Sequence, residues 1–346
     1  MRRTVLRTLQ GALGISMLCA IPSFAQSDAL QAFRGGDVWV LSRSGEEARL
    51  ETPGGRSLRL PLPARAEVSS LAALDDPWRG WIAAGSSLDD QGNRHLFLLA
   101  GGDQDHRPLP EPPGQTGLER RFPVLLADGG RLAGMAWLEG DDARSFAVRS
   151  SAWNGRRWSA PQTVSAPGPG SQIGLTGTVL ADGSWLLAWS AFDGEDGEIV
   201  WSRRLGSRWL PPAPVSAGNH VPDITPALTA SGGGALIAWS RYDGESYSLV
   251  LSRFTGQEWR DERAGPPAAL YPSFSGDGDR SRLLFFSARP RGWTALEMDA
   301  SGKVLRRAEV TAPWPERPVV EAASGELRLR WPDHGQAGPA AWVEMP

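Results

Sequence analysis

Cysteine is all but missing from this 346-residue chain: the one thiol, Cys19, lies in the first 25 residues. Past that point there can be no disulfide framework and no cysteine-ligated metal. Lysine occurs once, at Lys303, so basic charge is carried by arginine; 36 basic residues stand against 39 acidic ones, for a formal charge of −3. Mild acidity argues against a general nucleic-acid binder. Four histidines, His95, His106, His220 and His334, share no spacing that would make a metal site, and no cofactor motif is present. No apolar run beyond the N-terminus is long enough to cross a bilayer. Apolar periodicity of the helical kind is nearly absent, and short apolar or alternating runs are broken by Gly, Pro, Asp-Gly and Ser-Gly, the pattern of an all-β chain.

The first residues read as an export signal. Met1-Arg2-Arg3-Thr4-Val5-Leu6-Arg7 is basic, Gly11 to Ile21 is apolar, and Ser23-Phe24-Ala25 is a small-x-small ending. Cleavage is expected after Ala25, leaving residues 26–346 as one domain in the periplasm or secreted. Arg2-Arg3 fits a twin-arginine signal and equally an ordinary secretory one.

What the chain does have is a repeat. Asp182–Trp209 reads as a Gly turn, an apolar run ending in Trp189, an acidic turn, a second run, then Gly206 and Trp209; Ala127–Trp158 and Ser231–Trp259 repeat it. Such a period means an array of small sheets, none able to bury its own apolar face alone. Aligned on the last apolar position of the second strand, the anchors are Gly85, Trp137, Trp189, Trp239, Phe286 and Trp331, at intervals of 52 down to 45 residues. The turns between third and fourth strands align on Gly45, Gly102, Gly155, Gly206, Gly256 and Gly302. Both series count six, half a unit out of phase, which predicts a six-bladed β-propeller. Its ring should be closed by the N-terminal hairpin, residues 38–50, completing the sheet of residues 317–331 and hiding the edge strands. Pro-rich stretches 107–123, 159–177, 210–226 and 260–272 read as links between blades.

Three of the third-to-fourth-strand turns share a spacing: Ser151…Gly155…Trp158, Ser202…Gly206…Trp209 and Ser252…Gly256…Trp259. They resemble the Asp box of sialidase-like propellers, with Trp153, Arg204 and Phe254 in place of the Asp. The resemblance implies a six-bladed sialidase-like fold. It also implies, for an active member, an arginine triad and a Tyr nucleophile with a Glu partner. Arg121-Phe122-Pro123 looks like the motif of the first triad arginine, though it opens the second blade of the count where the family uses the first. Tyr242, Tyr247 and Tyr271 are the nucleophile candidates, with Glu245 near Tyr242. Arg289 and Arg291 lie in a suitable turn, but no residue matches the remaining triad positions.

A further repeated feature lies in the second-to-third-strand turns. Four residues past each anchor come Asp89, Asp141, Asp193 and Asp243, with Asp90, Glu139, Asp142, Glu195, Asp196 and Glu245 beside them. A ring of carboxylates around one channel mouth would draw a cation, an amine-bearing ligand or a basic partner; turn chemistry and solvation account for the same residues, since Asp-Gly favours hairpin turns. No loop has calcium-binding spacing. The recurring tryptophans fit inter-blade packing, whereas Trp314 and Trp293 stand outside both series and are candidates for stacking on a sugar. His220 and Asp223 sit together in a link on the acidic face. The sequence is thus read as a non-catalytic binding propeller that takes a protein or glycan partner on its acidic loop face. The alternatives are a diverged sialidase-type glycosidase and a structural envelope component.

Overall fold

The structure, a computed structural model, describes residues 29–345 apart from 35–36, 45–46, 76–79, 116, 142–145, 169, 217–218, 276–279, 324–325 and 332–333. The export signal, Gly45 and Asp142 fall outside the described residues. Among the described residues, every element is a strand. Seven antiparallel sheets follow one another along the chain, spanning residues 29–60, 67–109, 119–165, 172–214, 223–267, 269–310 and 319–341. They form seven blades, not six.

The miscount has a local cause. Asp37–Ser44 is the second strand of blade one, paired with Ala29–Arg34 on one side and Glu47–Glu51 on the other. Gly45 therefore falls between a second and a third strand, and the outer turn of blade one is at Thr52–Arg56 with Gly55 at φ 73°. An apolar run ending in Ser-Gly looks alike in either turn. The other five turn glycines are in phase, and Gly102, Gly155, Gly206, Gly256 and Gly302 all sit between third and fourth strands.

Ring closure also differs from expectation. The N-terminal hairpin belongs to its own complete four-stranded blade, and residues 319–341 form a separate three-stranded one. Val343–Glu344 then crosses to pair with the outer strand Val304–Val310 of blade six. No sheet is shared across the join. Blades one and seven meet through Gln31, whose amide bonds both backbone groups of Val320, and through Arg330, which reaches Glu51 at 2.7 Å. The apolar part of that join is small: Ala29, Val40 and Val319.

Between the other blades the second strands carry the core. Trp137, Trp189, Trp239 and Trp331 are buried at one repeated strand position, each in an interface between blades, and Trp81, four residues before Gly85, is buried between blades one and two. Trp293 joins them at 1% exposure and donates to the Trp314 carbonyl, which removes it as a ligand-stacking candidate. Parts of the Pro-rich links are strand: Gln162–Ser165, which holds no proline, and Trp259–Pro267, whose prolines fall at its end, are outer strands.

Candidate functional site

The serines of the Asp-box-like turns have a shared job. Ser151, Ser202 and Ser252 donate to the carbonyls of Ser159, Leu210 and Arg260, at 2.8, 2.7 and 2.9 Å, pinning the fourth strand to the third. Gly155, Gly206 and Gly256 take φ of 88°, 60° and 95°, a region that glycine enters at little cost. Where the Asp is missing, aromatic contacts fill in: Trp153 packs on Trp158, Arg204 lies 4.3 Å over Trp185, and Phe254 packs on Trp259. These turns hold the fold together and lie on the face away from the acidic loops.

Arg121-Phe122-Pro123 is likewise a repeated structural device. In blades three to six, two residues of the innermost strand stand opposite one residue of the second: Phe122-Pro123 opposite Trp137, Gly174-Leu175 opposite Trp189, Thr225-Pro226 opposite Trp239, and Tyr271-Pro272 opposite Phe285. The first residue of each pair has φ between 50° and 64°. These are β-bulges, and three use proline where the ladder bond is already interrupted. Adjacent bulges touch: Ser69 donates to the Pro123 carbonyl, and Gly174 faces Pro226. Together they form a collar at the acidic mouth of the channel. Arg121 itself pairs with Glu119 and lies over the Phe146 ring. It belongs to blade three, while Arg289 and Arg291 flank Pro290 in an exposed turn of blade six; the ring keeps these arginines three blades apart.

The aspartates of the acidic ring are largely occupied by their own turns. Asp89 Oδ1 accepts from the backbone of Gln91 and Asn93, Asp193 Oδ1 from Glu195 and Asp196, and Asp243 Oδ1 from Glu245 and Ser246. A hydrogen bond from His95 first, then those amides, holds Asp89 down at about 2; backbone hydrogen bonds lower Asp193 and Asp243. Asp141 precedes residues that are not described.

A different set of groups, at the junction of blades four and five, is buried and only partly satisfied. The Asp193 turn positions Asp196 and, one strand residue further on, Glu198; both are 7% exposed. Asp223, the first residue of blade five, is fully buried and clamped by Arg241, Nε to Oδ1 and Nη2 to Oδ2, each at 2.8 Å. Arg241 also reaches Glu262 and Ser216, and the Asp223 hydrogen bond foremost raises its pKa. Asn219 donates to Asp223 Oδ2 at 3.2 Å and lies at the edge of bonding range from Glu198. His220 is exposed and pairs with Glu195 at 3.1 Å. Among the described residues, neither Asp196 nor Glu198 has a cation of its own. Burial first, then the charge of neighbouring carboxylates, raises Asp196 and pushes Glu198 up to about 7. Asp196 Oδ1 is buried with no hydrogen-bond partner. Among the described residues, no group of three or more His, Cys, Asp or Glu has the geometry to hold a metal ion.

Two of the three tyrosines lie beside this cluster, and the third, Tyr271, packs against the core of blades six and seven. Tyr242 bonds the Pro222 carbonyl through its backbone, one residue from Asp223, and its ring lies 5.0 Å from that of Tyr247. Burial raises the pKa of Tyr247 and Tyr271, each with the next tyrosine as a second cause. Glu245 stays in the exposed turn. Trp314 is half-buried against Trp331 and stacks on His334 at 4.7 Å, in the join of blades six and seven. Sequence reasoning singled out Asp223 and His220 here but missed Glu198, Asn219 and Arg241. A polar residue opening a strand gives no periodic signal, and only the fold brings these three together.

No helix among the described residues is long and apolar enough to cross a membrane. No protein-family profile matches the chain, and no curated protein matches it by sequence. The fold, by contrast, is shared with solved β-propellers. A lectin from Burkholderia pseudomallei superposes with a TM-score of 0.59 at 13% identity, over 92% of this chain and 99% of the lectin. An ulvan lyase, a polysaccharide lyase, superposes with a TM-score of 0.57 at 11% identity, over 93% and 94% of the two chains. At such identities the likeness is one of fold. The chain is a β-propeller; the narrower sialidase-like resemblance finds no counterpart in these comparisons.

Proposed function

We propose that the protein is a non-catalytic, exported binding propeller. Its ligand site is the acidic-loop face of blades four to six, and its ligand is a carbohydrate. The observation that carries this reading is the buried Asp196 Oδ1, which has no hydrogen-bond partner, in a junction that also holds Glu198, Asn219 and the paired rings of Tyr242 and Tyr247. Carboxylates and an amide accept and donate to sugar hydroxyls, and tyrosine rings supply flat apolar faces. The unmet acceptor is costly until a donor reaches it. That the same fold serves as a lectin and as a polysaccharide lyase is in keeping with a glycan ligand. Tyr247 and Tyr271 are shifted away from ionisation, the opposite of what a tyrosine nucleophile needs.

The test is a glycan-array screen, followed by calorimetry on the best ligand. Asp196→Asn and Tyr242→Ala should each weaken binding at least tenfold. The quadruple Asp→Asn variant at positions 89, 141, 193 and 243 should bind within about threefold, because those carboxylates are used in their own turns. Loss of binding only in the quadruple variant, with a flattened salt dependence, would transfer the site to the acidic ring and favour a basic protein partner. Glu198 also holds a proton near neutral pH beside the ionised Asp193, which favours a glycosidase as the second reading. Release of fluorophore from a sialoside, abolished in Tyr242→Phe, would establish it.

A further inference from the structure

The central channel holds a cavity of about 880 Å³, lined by innermost-strand residues of five blades, among them Gln31, Leu71, Ala127, Leu228 and Phe274, and by Arg317. This is the size of a pocket for a small organic ligand. Arg317 leads into the innermost strand of blade seven, and the Gln31–Val320 bonds fix that segment against blade one.

Several part-buried arginines elsewhere are matched by acids: Arg94 by Glu67, Arg241 by Asp223, Arg306 by Glu297 and Arg330 by Glu51; Arg204, which has no acid, lies over the Trp185 ring. Arg317 is different. Among the described residues its guanidinium has no ion pair or hydrogen bond. It is reachable from the cavity, yet enclosed enough that burial alone brings its pKa down to about 10. Among the described residues, the only other charges on the cavity wall are Arg34, paired with Asp75, and the exposed Asp37 at the rim.

An unpaired guanidinium in a confined site is electrostatically unfavourable until an anion arrives. Its planar fork matches the two oxygens of a carboxylate or sulfate. We propose that the channel is an anion-binding site in which Arg317 receives the carboxylate or sulfate group of a small ligand. The site is separate from the carboxylate cluster at blades four and five and carries the opposite charge.

Calorimetry on the full chain, with sodium sulfate, sodium glucuronate and neutral glucose as probes, tests this. Sulfate binding alone identifies a free-oxyanion site; tighter glucuronate binding identifies an acidic-sugar site; glucose should not compete in either case. Arg317→Met should reduce anion affinity at least tenfold. Arg317→Lys, which keeps the charge without the fork, should fall between wild type and Met and guards against a folding defect in the Met variant. Binding of both anions unchanged in Arg317→Met and Arg317→Lys, or binding of neither anion by wild type, would overturn the proposal.

Discussion

Gln31 and Val320, 289 positions apart, exchange two hydrogen bonds: Gln31 Nε2 donates to the Val320 carbonyl at 3.0 Å, and the Val320 amide donates to Gln31 Oε1 at 2.8 Å. One side chain thus imitates a strand partner across a join that has no shared sheet. Gln31→Ala leaves two backbone groups of the buried Val320 unpaired and should cost about 1–3 kcal/mol in denaturant unfolding. Arg330→Met, removing a part-exposed ion pair from the same join, should cost less than about 1 kcal/mol. Equal effects of the two would mean that the amide bridge is not what closes the ring.

The serine locks of the outer turns should behave alike. Ser151→Ala, Ser202→Ala and Ser252→Ala each remove one hydrogen bond of 2.7–2.9 Å to a backbone carbonyl. A loss of about 1 kcal/mol apiece is expected, and near-additivity in the triple variant, because the sites lie in different blades. A triple variant no less stable than wild type would assign these serines no structural role.

Gly174 is the bulge residue of blade four, at φ +64°, and a Cβ there would stand 3.1 Å from Pro226 Cδ. Gly174→Ala should therefore destabilise by about 1–2 kcal/mol, combining left-handed strain with crowding of the neighbouring bulge. Gly183→Ala is the control: φ is +77° with open space around it, so it carries the strain without the crowding. Equal losses in the two would show that the collar contact contributes nothing.

Glu198 makes stability depend on pH in a definite direction. Its folded pKa, about 7, lies above the unfolded value near 4.5, so the folded state holds the proton more tightly. The group carries no penalty below about pH 4.5; the penalty grows as pH rises towards 7 and is complete above it. Glu198→Gln should thus leave stability nearly unchanged at pH 4.5 and raise it by on the order of 2–3 kcal/mol at pH 8. Thermal melts of both proteins across that range check it; a constant difference would show that Glu198 titrates normally.

Much of the architecture was present in the sequence. The alternation of short apolar runs with Gly and Pro turns specifies strands, and Trp137, Trp189 and Trp239 mark one buried position per blade, because both are local patterns repeated in every unit. Local patterns could not determine the number of blades: Ser44-Gly45 has the same chemistry whether it follows a second or a third strand, and only the pairing of Asp37–Ser44 with Ala29–Arg34 decides between them. Nor could they reveal that Arg121-Phe122-Pro123 belongs with Thr225-Pro226 and Tyr271-Pro272, since a bulge is a property of two strands in register. The gathering of Asp196, Glu198, Asn219 and Asp223, and the isolation of Arg317 in the channel, arise from contacts between blades. Those contacts join residues that no repeat period relates, so tertiary packing alone decides which charges meet a partner and which are left for a ligand.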